Sequence, residues 1–527
     1  MAICVSPLRS SLLHLDLLSL CSSWEHIYTQ CCLTMDHLSC PRLIATLVGV
    51  GAHQVVFRHG EWDSHAHLIL TGHLLALLTS LAAALYRGSL FLHVEVLSMG
   101  SCYLAGLYLS MLVCRASPLH RLSRYPGPFI AKLSKFWMMR RSLQKQHMFE
   151  EIQNLHTKYG DYVRVGPSEL SIADPEAIEA LYGSKSSTSK GPFYSQAGPY
   201  VSLQSTRDKT DHACRHKVWS QGFSTKALYK YDPRVSTAIA ELLQVIDRDH
   251  SRGPINVADW FAYFTFDLLE ELAFGRNSGM VRRGGDGYVF KTIRGAQGIV
   301  ALQYHIPWLA GIRLRVPILN RRVMAFQEWT WKRLEERAGN EPDEPDVLTW
   351  VLDAYNGGPK TPADQLRLLG DGQLIILAGS DPVASTLIWL FFELAHNPAY
   401  VGRLREELLA LPGLSTEHLE SVELLDALVN ETLRLYPPFP SGLQRLTPPE
   451  GLSIGDHHIP GNTVVQAPWH TVFRDTRCFV QPGEFIPERW TTRPDLIKNR
   501  SVFIPFGGGE SLLCLSLAYA IEEENSQ

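Results

Sequence analysis

Two long uncharged stretches mark the amino-terminal part of the chain. Leu68–Tyr86 and Val96–Cys114 lack charged residues, and each has about the 20 residues that a helix needs to cross the hydrocarbon core of a bilayer. A weaker apolar run, Leu43–Phe57, is shorter and carries His53. Length, lack of charge and clustering favour lipid over the interior of a soluble domain. The sequence therefore predicts a membrane region over residues 1–115 with two or three apolar spans.

Basic residues follow the last apolar run, and the positive-inside bias predicts that the chain after Cys114 stays on the cytoplasmic side. These residues are Arg115, Arg121, Arg124, Lys132, Lys135, Arg140 and Arg141. The segment Arg124-Tyr-Pro-Gly-Pro128 breaks any helix, which predicts a basic, proline-containing hinge over residues 116–128. Residues 1–34 have no clear role in this pattern, and Met35 is a candidate start.

Helical patterns dominate from residue 129 onward. Residues 161–172 alternate around a Gly-Pro turn, which predicts a hairpin. Helices are expected at Val235–Asp249, Trp260–Phe274, Asp364–Ala395, Val401–Leu411 and Leu424–Leu435. Because no repeat and no long linker interrupts this region, residues 129–527 are predicted to form one large domain, mainly α with small β-sheets.

Composition and the absence of common motifs argue against several classes of function. The net charge of −4 gives no basic excess that would drive nucleic-acid binding. Of ten cysteines, only Cys214, Cys478 and Cys514 follow residue 115, without a CxxC pair, so the large domain reads as reduced and intracellular with room for one special thiol. Neither GxGxxG with a following acid nor GxxxxGK[ST] occurs, which argues against a self-contained nucleotide-dependent enzyme.

Glu431 and Arg434 lie three residues apart in LVNETLRLYPP and so share one helix face. Alone, this spacing is typical of a solvated ion pair. A second arginine, Arg489, follows in FIPERW. A buried carboxylate held by two guanidinium groups would organise the surrounding chain, because a lone buried charge is costly.

An apolar helix contains ILAGSDPVAST. Ala378 and Gly379 let a bulky group approach the backbone, and Asp381 needs a partner or a polar cavity in such surroundings. In isolation, a helix kink with a polar cap is the favoured explanation of this segment.

Two further segments carry candidate chemistry. Arg445 lies on a strand-like segment in PSGLQRLTPP, and a glycine-rich loop, FIPFGGG, precedes Cys514. Such a loop can present a thiolate to a metal because its bare backbone donates hydrogen bonds to sulfur. A single cysteine is otherwise a small buried hydrophobe.

In this order and spacing, the motifs resemble the cytochrome P-450 family of haem-thiolate monooxygenases. The resemblance runs from about Tyr125 to Glu510 and rests on YPGP, AGSD, ETLR, FRDTRCFVQPGEFIPERW and FIPFGGGE. The apolar spans, the HGEWD stretch and PSGLQR are similar to fungal secondary-metabolism members near the benzoate-hydroxylase and tryprostatin-hydroxylase types.

The resemblance implies a mainly helical fold that grips haem between the helix around Asp381 and the cysteine loop. It implies that Arg445 pairs with a haem propionate and that Cys514 is the iron ligand, whose thiolate favours O–O cleavage. His212 and His216 occupy positions where the family often has Trp and Arg for the other propionate. Arg215, which lies beside them, would substitute as a ligand of that propionate. The residues with an implied structural role are Glu431, Arg434 and Arg489.

The implied reaction inserts one oxygen atom from O2 into a lipophilic small molecule. Electrons would come from NADPH through a separate cytochrome P-450 reductase, and Asp381 with waters would relay protons. The implied location is the endoplasmic reticulum membrane, with the soluble domain facing the cytoplasm.

Two departures from the family pattern stand out. The residue after Asp381 is usually Thr, whose hydroxyl assists proton delivery, but here it is Pro382. Ser385 or Thr386 would have to take over, so we expect weaker coupling of oxygen use to product.

The haem loop departs further. The family places Cys seven residues after the loop's Phe; counted from Phe506, that position is Leu513, and Cys514 comes one later. Ser516 stands where Gly would follow. The match ends at Glu510, so the chain is expected to be truncated or altered after residue 510, as by a misread splice junction or frameshift. Sequencing the transcript across Gly509–Ser511 tests this, and finding it as written would reject the hypothesis.

Three functions therefore remain. The first is a membrane-anchored monooxygenase, and the second is a catalytically impaired or haem-free remnant of the same fold. The third, a multi-pass membrane protein with an unrelated soluble domain, is disfavoured by the ordered motifs.

Overall fold

The computed structural model describes residues 39–508, apart from residues 89, 146, 252, 286, 341 and 343. The chain divides into two compact units, with the boundary between His120 and Arg121.

Within residues 39–116, the described part of the amino-terminal unit, there are three apolar helices, each long enough to cross a membrane by length and composition. The helices are α1 (Ser39–Gly51), continued by a π-helical turn (Ala52–Phe57), α2 (Ala66–Tyr86) and α3 (Leu90–Ala116). The weak run Leu43–Phe57 is therefore helical as well. A fourth stretch with the same property, Pro362–His396, belongs to the second unit.

The second unit is mainly helical, as the sequence predicts. Its first helices are α4 (Phe129–Leu133), α5 (Phe136–Lys145), α6 (Met148–Tyr159), α7 (Glu176–Tyr182), α8 (Lys209–Gly222), α9 (Thr225–His250), α10 (Val257–Phe274), α11 (Met280–Arg283) and α12 (Gly287–His305). They are followed by α13 (Trp308–Arg313), α14 (Pro317–Ala338), α15 (Val347–Gly357), α16 (Pro362–His396), α17 (Pro398–Ala410), α18 (Thr416–Leu419), α19 (Glu423–Leu435) and α20 (Trp469–Val472).

In the described part of the chain, seven short strands form two sheets: β1 (Tyr162–Gly166), β2 (Glu169–Ile172), β3 (Ser189–Lys190), β4 (Arg445–Leu446), β5 (Leu452–Ile454), β6 (His457–Ile459) and β7 (Val464–Gln466). The larger sheet has the order β1-β2-β7-β4-β3, in which only β2 and β7 are parallel, and β5 pairs with β6. The hairpin predicted at residues 161–172 is confirmed by the pairing of β1 with β2.

The longest helix, α16, runs through the core of the second unit. It begins with a capping box between Thr361 and Asp364, with Pro362 in the first turn where no backbone donor is needed. A Cβ atom on Gly379 would lie 2.5 Å from the Leu269 side chain of α10. The bulky group that approaches the backbone at Gly379 is therefore Leu269.

The five helices expected from the sequence are all present. The largest difference is in α9, which begins at Thr225, ten residues before the predicted start, and carries Pro233 inside it. Ser224 caps this helix by accepting a hydrogen bond from the Ala227 amide. A proline favours a helix boundary in a sequence pattern, but packing of the surrounding apolar face overrides that preference here.

The segment predicted to be a hinge is not uniform. From Arg121 onward it packs within the second unit: Leu122 is fully buried, and the Tyr125 hydroxyl donates to the His458 carbonyl at 3.0 Å. The Arg164 amide donates to the Pro126 carbonyl at 2.7 Å. The break between the units therefore falls inside residues 116–128, before Arg121.

Candidate active site

Glu431 lies at the centre of a buried charge network. Its two carboxylate oxygens accept hydrogen bonds from Arg434 Nε and Nη2 at 2.9 and 2.8 Å and from Arg489 Nε at 3.0 Å. Trp490 Nε1 and the Ile486 amide each donate at 2.9 Å. All three charged side chains have no exposed surface. The structure thus brings Glu431, Arg434 and Arg489 together with every carboxylate lone pair used.

The remaining guanidinium N–H groups fix the backbone of the following segment. Arg434 donates to the carbonyls of Phe473, Pro482 and Glu484, at 2.7 to 3.0 Å. Arg489 donates to the Val480 carbonyl at 3.0 Å. Five donors in a rigid fork suit this role, which tethers an irregular stretch of chain to α19.

Two cations face each other on neighbouring strands. Lys190 on β3 is paired in register with Arg445 on β4, and residues directly opposite in an antiparallel pair point to the same face. Arg445 is 4% exposed, and among the described residues no carboxylate forms an ion pair with it. Its guanidinium lies 5.0 Å from the centre of the Tyr182 ring, and its Nη1 donates to the Gln444 carbonyl at 3.3 Å. Because like charges in this geometry repel, the arrangement favours a bound anion.

Lys190 reaches into the loop that precedes α8. Its ammonium donates to the Gln204 carbonyl at 2.7 Å and to the Leu203 carbonyl at 3.3 Å. Burial raises the pKa of Tyr182 to about 12, although the positive charge of Arg445 opposes this shift. The phenol beside Arg445 is therefore neutral and does not balance the charge of that arginine.

His212 and His216 lie one turn apart on α8, with ring centroids 5.8 Å apart. Burial lowers the pKa of His212 to about 4, and the nearby charges of Lys190, His216 and Arg215 add to this effect. Burial also lowers the pKa of His216. Both imidazoles are thus neutral near pH 7 and offer N–H donors to an anion.

Arg215 forms ion pairs with two carboxylates, Asp371 and Asp211. Its Nη2 lies 2.5 Å from the Asp371 carboxylate on α16, and Nη1 lies 3.3 Å from Asp211. Asp371 also accepts from the Leu203 amide at 2.8 Å, and burial raises its pKa while Arg215 opposes that shift. The charge of Arg215 is therefore already balanced, and its placement ties α8 to α16.

Asp381 projects from α16 toward α12, where Gln297 donates a hydrogen bond to its carboxylate. Its side chain is exposed by accessible surface, yet its pKa is raised because surrounding protein desolvates the carboxylate. Pro382, inside the helix, cannot donate to the backbone carbonyl one turn earlier. Thr386 instead donates its hydroxyl to the Pro382 carbonyl at 2.9 Å, and Ser385 is partly buried one turn from Asp381.

The first part of the glycine-rich loop packs against the segment that Arg434 and Arg489 hold. Phe503 lies 4.6 Å from the Trp490 ring and 5.5 Å from the Phe473 ring, so the loop starts on the segment that the arginines hold. Gly507 has φ +100°, and a Cβ atom on Gly508 would lie 2.8 Å from the Tyr182 carbonyl. Only glycine is readily accommodated at these two positions. Cys514 lies outside the described residues.

A cavity of about 270 Å³ is lined by residues of the larger sheet and of α12. Its lining is largely apolar, with Met148, Phe193 and Phe439 among the contributors. The Tyr304 hydroxyl donates to the Gln466 side chain at 2.7 Å within this lining, and Glu169 forms an ion pair with Lys135 at 2.5 Å. The cavity suits a mainly apolar small molecule with a few polar groups.

The sequence did not single out several residues of this region. Lys190 lies on a two-residue strand without detectable periodicity, and Asp371 and Gln297 reach their partners over separations of 156 and 84 residues. A carboxylate within an otherwise apolar helix is the one usable signal, and it applies to Asp371 as it does to Asp381.

A mainly helical domain with a buried Glu–Arg–Arg network and opposed cations near a glycine-rich loop has the features of a haem-thiolate oxygenase. The Cytochrome P450 family profile matches residues 126–512, and the chain belongs to this family. The family uses haem with electrons supplied by a reductase, and its members are oxidoreductases.

Fungal relatives extend over most of the chain. It is 45% identical over 421 residues to the cytochrome P450 monooxygenase orf5 of Eupenicillium brefeldianum, covering 80% of this chain and 86% of the relative. It is 41% identical to the monooxygenase FCK2 of Fusarium pseudograminearum, covering 88% and 86%. Tryprostatin B 6-hydroxylase of Aspergillus fumigatus is 35% identical, with 88% and 85% covered.

Proposed function

We propose that this chain is a membrane-anchored, haem-dependent monooxygenase that inserts one oxygen atom from O2 into a lipophilic small molecule of fungal secondary metabolism. The observation that carries the proposal is the buried Arg445, which is paired in register with Lys190. Its guanidinium lies over the ring of Tyr182, and the Tyr182 carbonyl packs against Gly508 of the glycine-rich loop. The fungal relatives and the apolar cavity support the class of substrate.

The residues present fit the two propionates of haem. Arg445 is buried and lacks a carboxylate among the described residues, and Lys190 faces it. His212 and His216 would add neutral N–H donors, and a bound anion would raise the pKa of His212 again. We assign Arg215 a positioning role because Asp371 and Asp211 already pair with it.

Bound haem supplies oxygen activation at its iron, for which Cys514 is the proposed thiolate ligand. Asp381 would hold and release protons at its carboxylate, since its raised pKa brings protonation closer to neutral pH. With Pro382 next to it, the hydroxyl left to join Asp381 on the helix is that of Ser385, because Ser380 and Thr386 donate theirs to backbone carbonyls of α16. Glu431, Arg434 and Arg489 would keep the segment beneath the haem in place.

The membrane assignment rests on the three apolar helices of the amino-terminal unit. We place the chain in the endoplasmic reticulum membrane with the catalytic domain in the cytoplasm, because basic residues follow the last span. A cytochrome P-450 reductase on the same face would then deliver electrons from NADPH.

One observation favours a second candidate, an impaired or haem-free remnant of the fold. Cys514 follows the loop phenylalanine Phe506 by eight residues, where the family spacing is seven, and the similarity to the family ends close to this point. The network around Glu431 would persist in such a remnant, since it needs no cofactor.

The carbon monoxide difference spectrum of the reduced full-length chain separates the two candidates. Thiolate-ligated haem predicts a band at about 450 nm. Cys514→Ala should abolish it, whereas Cys214→Ala, an exposed cysteine on α8, should leave it intact. A haem-loaded protein without this band would support the remnant, and a band that survives Cys514→Ala would reject Cys514 as the ligand.

A further inference from the structure

The first and third helices of the amino-terminal unit are joined by polar contacts near both ends of α1 and its π-helical continuation. Arg42 Nη2 donates to Glu95 Oε1 at 2.8 Å. At the other end, His53 Nδ1 lies 2.9 Å from Ser110 Oγ, and Gln54 donates to the same hydroxyl at 3.0 Å. His53 is the second residue of the π-helical turn and is buried.

Between these polar contacts the two backbones touch. A Cβ atom on Gly49 would lie 2.1 Å from the Tyr103 carbonyl, and one on Gly106 would lie 2.2 Å from the Thr46 carbonyl. Neither glycine tolerates a side chain without moving a helix. In lipid, where apolar side chains gain nothing by leaving the solvent, such close backbone packing and interhelical hydrogen bonds are the forces that hold helices together.

The order of the contacts fixes the relative direction of the two helices. Residues 42 and 53 of the first span contact residues 95 and 110 of the third, so both numbers rise together and the helices are parallel. The second helix, α2, joins the third through His73, whose Nε2 lies 3.0 Å from the Tyr103 hydroxyl. Leu68, Leu74 and Leu78 on α2 are exposed, as expected of a surface that faces lipid.

We propose that the amino-terminal unit is a packed three-span membrane bundle, in which the first and third spans run parallel and are locked by Gly49, Gly106 and the two polar contacts. Residues 39–57 are then an integral part of the membrane domain. Because the described residues 39–116 form three spans, an odd number, the two ends of the bundle at Ser39 and Ala116 lie on opposite faces of the membrane. The proposal rests on the membrane anchoring proposed above and goes beyond it.

Disulfide cross-linking in native membranes tests the parallel packing. In the full-length chain, with the seven cysteines before residue 115 changed to Ala, His53→Cys is combined with Ser110→Cys, and a protease site is placed between residues 58 and 62. After oxidation and cleavage, the two fragments should stay joined without reductant. The control pair His53→Cys with Glu95→Cys should separate, because Glu95 lies at the opposite end of the bundle.

Two glycine variants test the lock itself. Gly106→Leu in the cross-linking chain should abolish the joined product, whereas Gly72→Leu, where a Cβ atom would meet open space, should leave it unchanged. Carbonate extraction is run on every sample. If the protein stays in the membrane but the control pair joins, or the pair His53→Cys with Ser110→Cys does not join, the bundle is overturned while the anchoring stands. Release by carbonate overturns both.

Discussion

Removing the charge of Glu431 tests the buried network at its centre. Glu431→Gln keeps the size of the side chain but turns two acceptor oxygens into one acceptor and one donor. In the unchanged chain, the Glu431 carboxylate accepts five hydrogen bonds, three of them from two guanidinium groups without exposed surface. Breaking a buried ion pair from one side costs about 3–5 kcal/mol, because the remaining charge stays buried without compensation.

The free energy of unfolding of the detergent-solubilised full-length chain, measured by urea denaturation, should therefore fall by about 3–5 kcal/mol in Glu431→Gln. Glu344→Gln provides the control: Glu344 pairs with Lys230 at 2.8 Å, but both side chains are exposed, so the unfolding midpoint should not move measurably. A loss of less than about 1 kcal/mol in Glu431→Gln would refute the view that this carboxylate organises the segment.

Three further variants probe other parts of the domain. Arg445→Leu should lower haem retention on a desalting column, while Arg477→Leu, an exposed arginine paired with Asp161, should not; equal retention would remove Arg445 from the proposed site. Gly379→Ala should destabilise the chain by about 1–3 kcal/mol because the new methyl group meets Leu269. Gly402→Ala should stabilise it by about 0.5–1 kcal/mol, because Gly402 has open space around it on an exposed helix. The opposite order of stabilities would contradict the helix packing. The pKa of His212 is depressed to about 4, so the unfolded state binds a proton that the folded state rejects, and stability is lost as the pH falls from about 6.5 to 4. His212→Gln should flatten the dependence of the unfolding free energy on pH, measured by urea titrations. An unchanged dependence would count against burial of a neutral imidazole.

Local spacing predicted the parts of the site that lie on one element. The three-residue separation of Glu431 and Arg434 placed both on one helix face, and alternation around a Gly-Pro turn gave the first hairpin. The sequence proposes Arg489 as a second arginine for the same carboxylate, but 58 residues separate it from Glu431, so local spacing could not show that the two side chains meet.

Contacts between distant elements could not be read from the sequence. Lys190 and Arg445 meet because two strands of two residues each pair across the sheet, and such strands carry no periodic signal. The family resemblance places Arg215 near a propionate, but the structure pairs it with Asp371, a partner that depends on how α8 packs against α16. The role of each site residue stays a prediction until it is measured.

Contacts between the helices of the membrane region could not be predicted from the sequence either. The first span is the weakest of the three in the sequence because His53 interrupts a short apolar run. In the structure, the polar side chain of His53 contacts Ser110 of the third helix. The low hydropathy of the first span therefore reflects a contact between helices inside the bundle.

Haem content is the most direct test of the central claim, that this domain binds haem next to Arg445 and Lys190. The full-length chain, expressed with a haem precursor and purified in detergent, is assayed by pyridine haemochromogen against protein concentration. The account predicts about one haem per chain, since the family binds a single group. A folded, monodisperse preparation that contains none would contradict it.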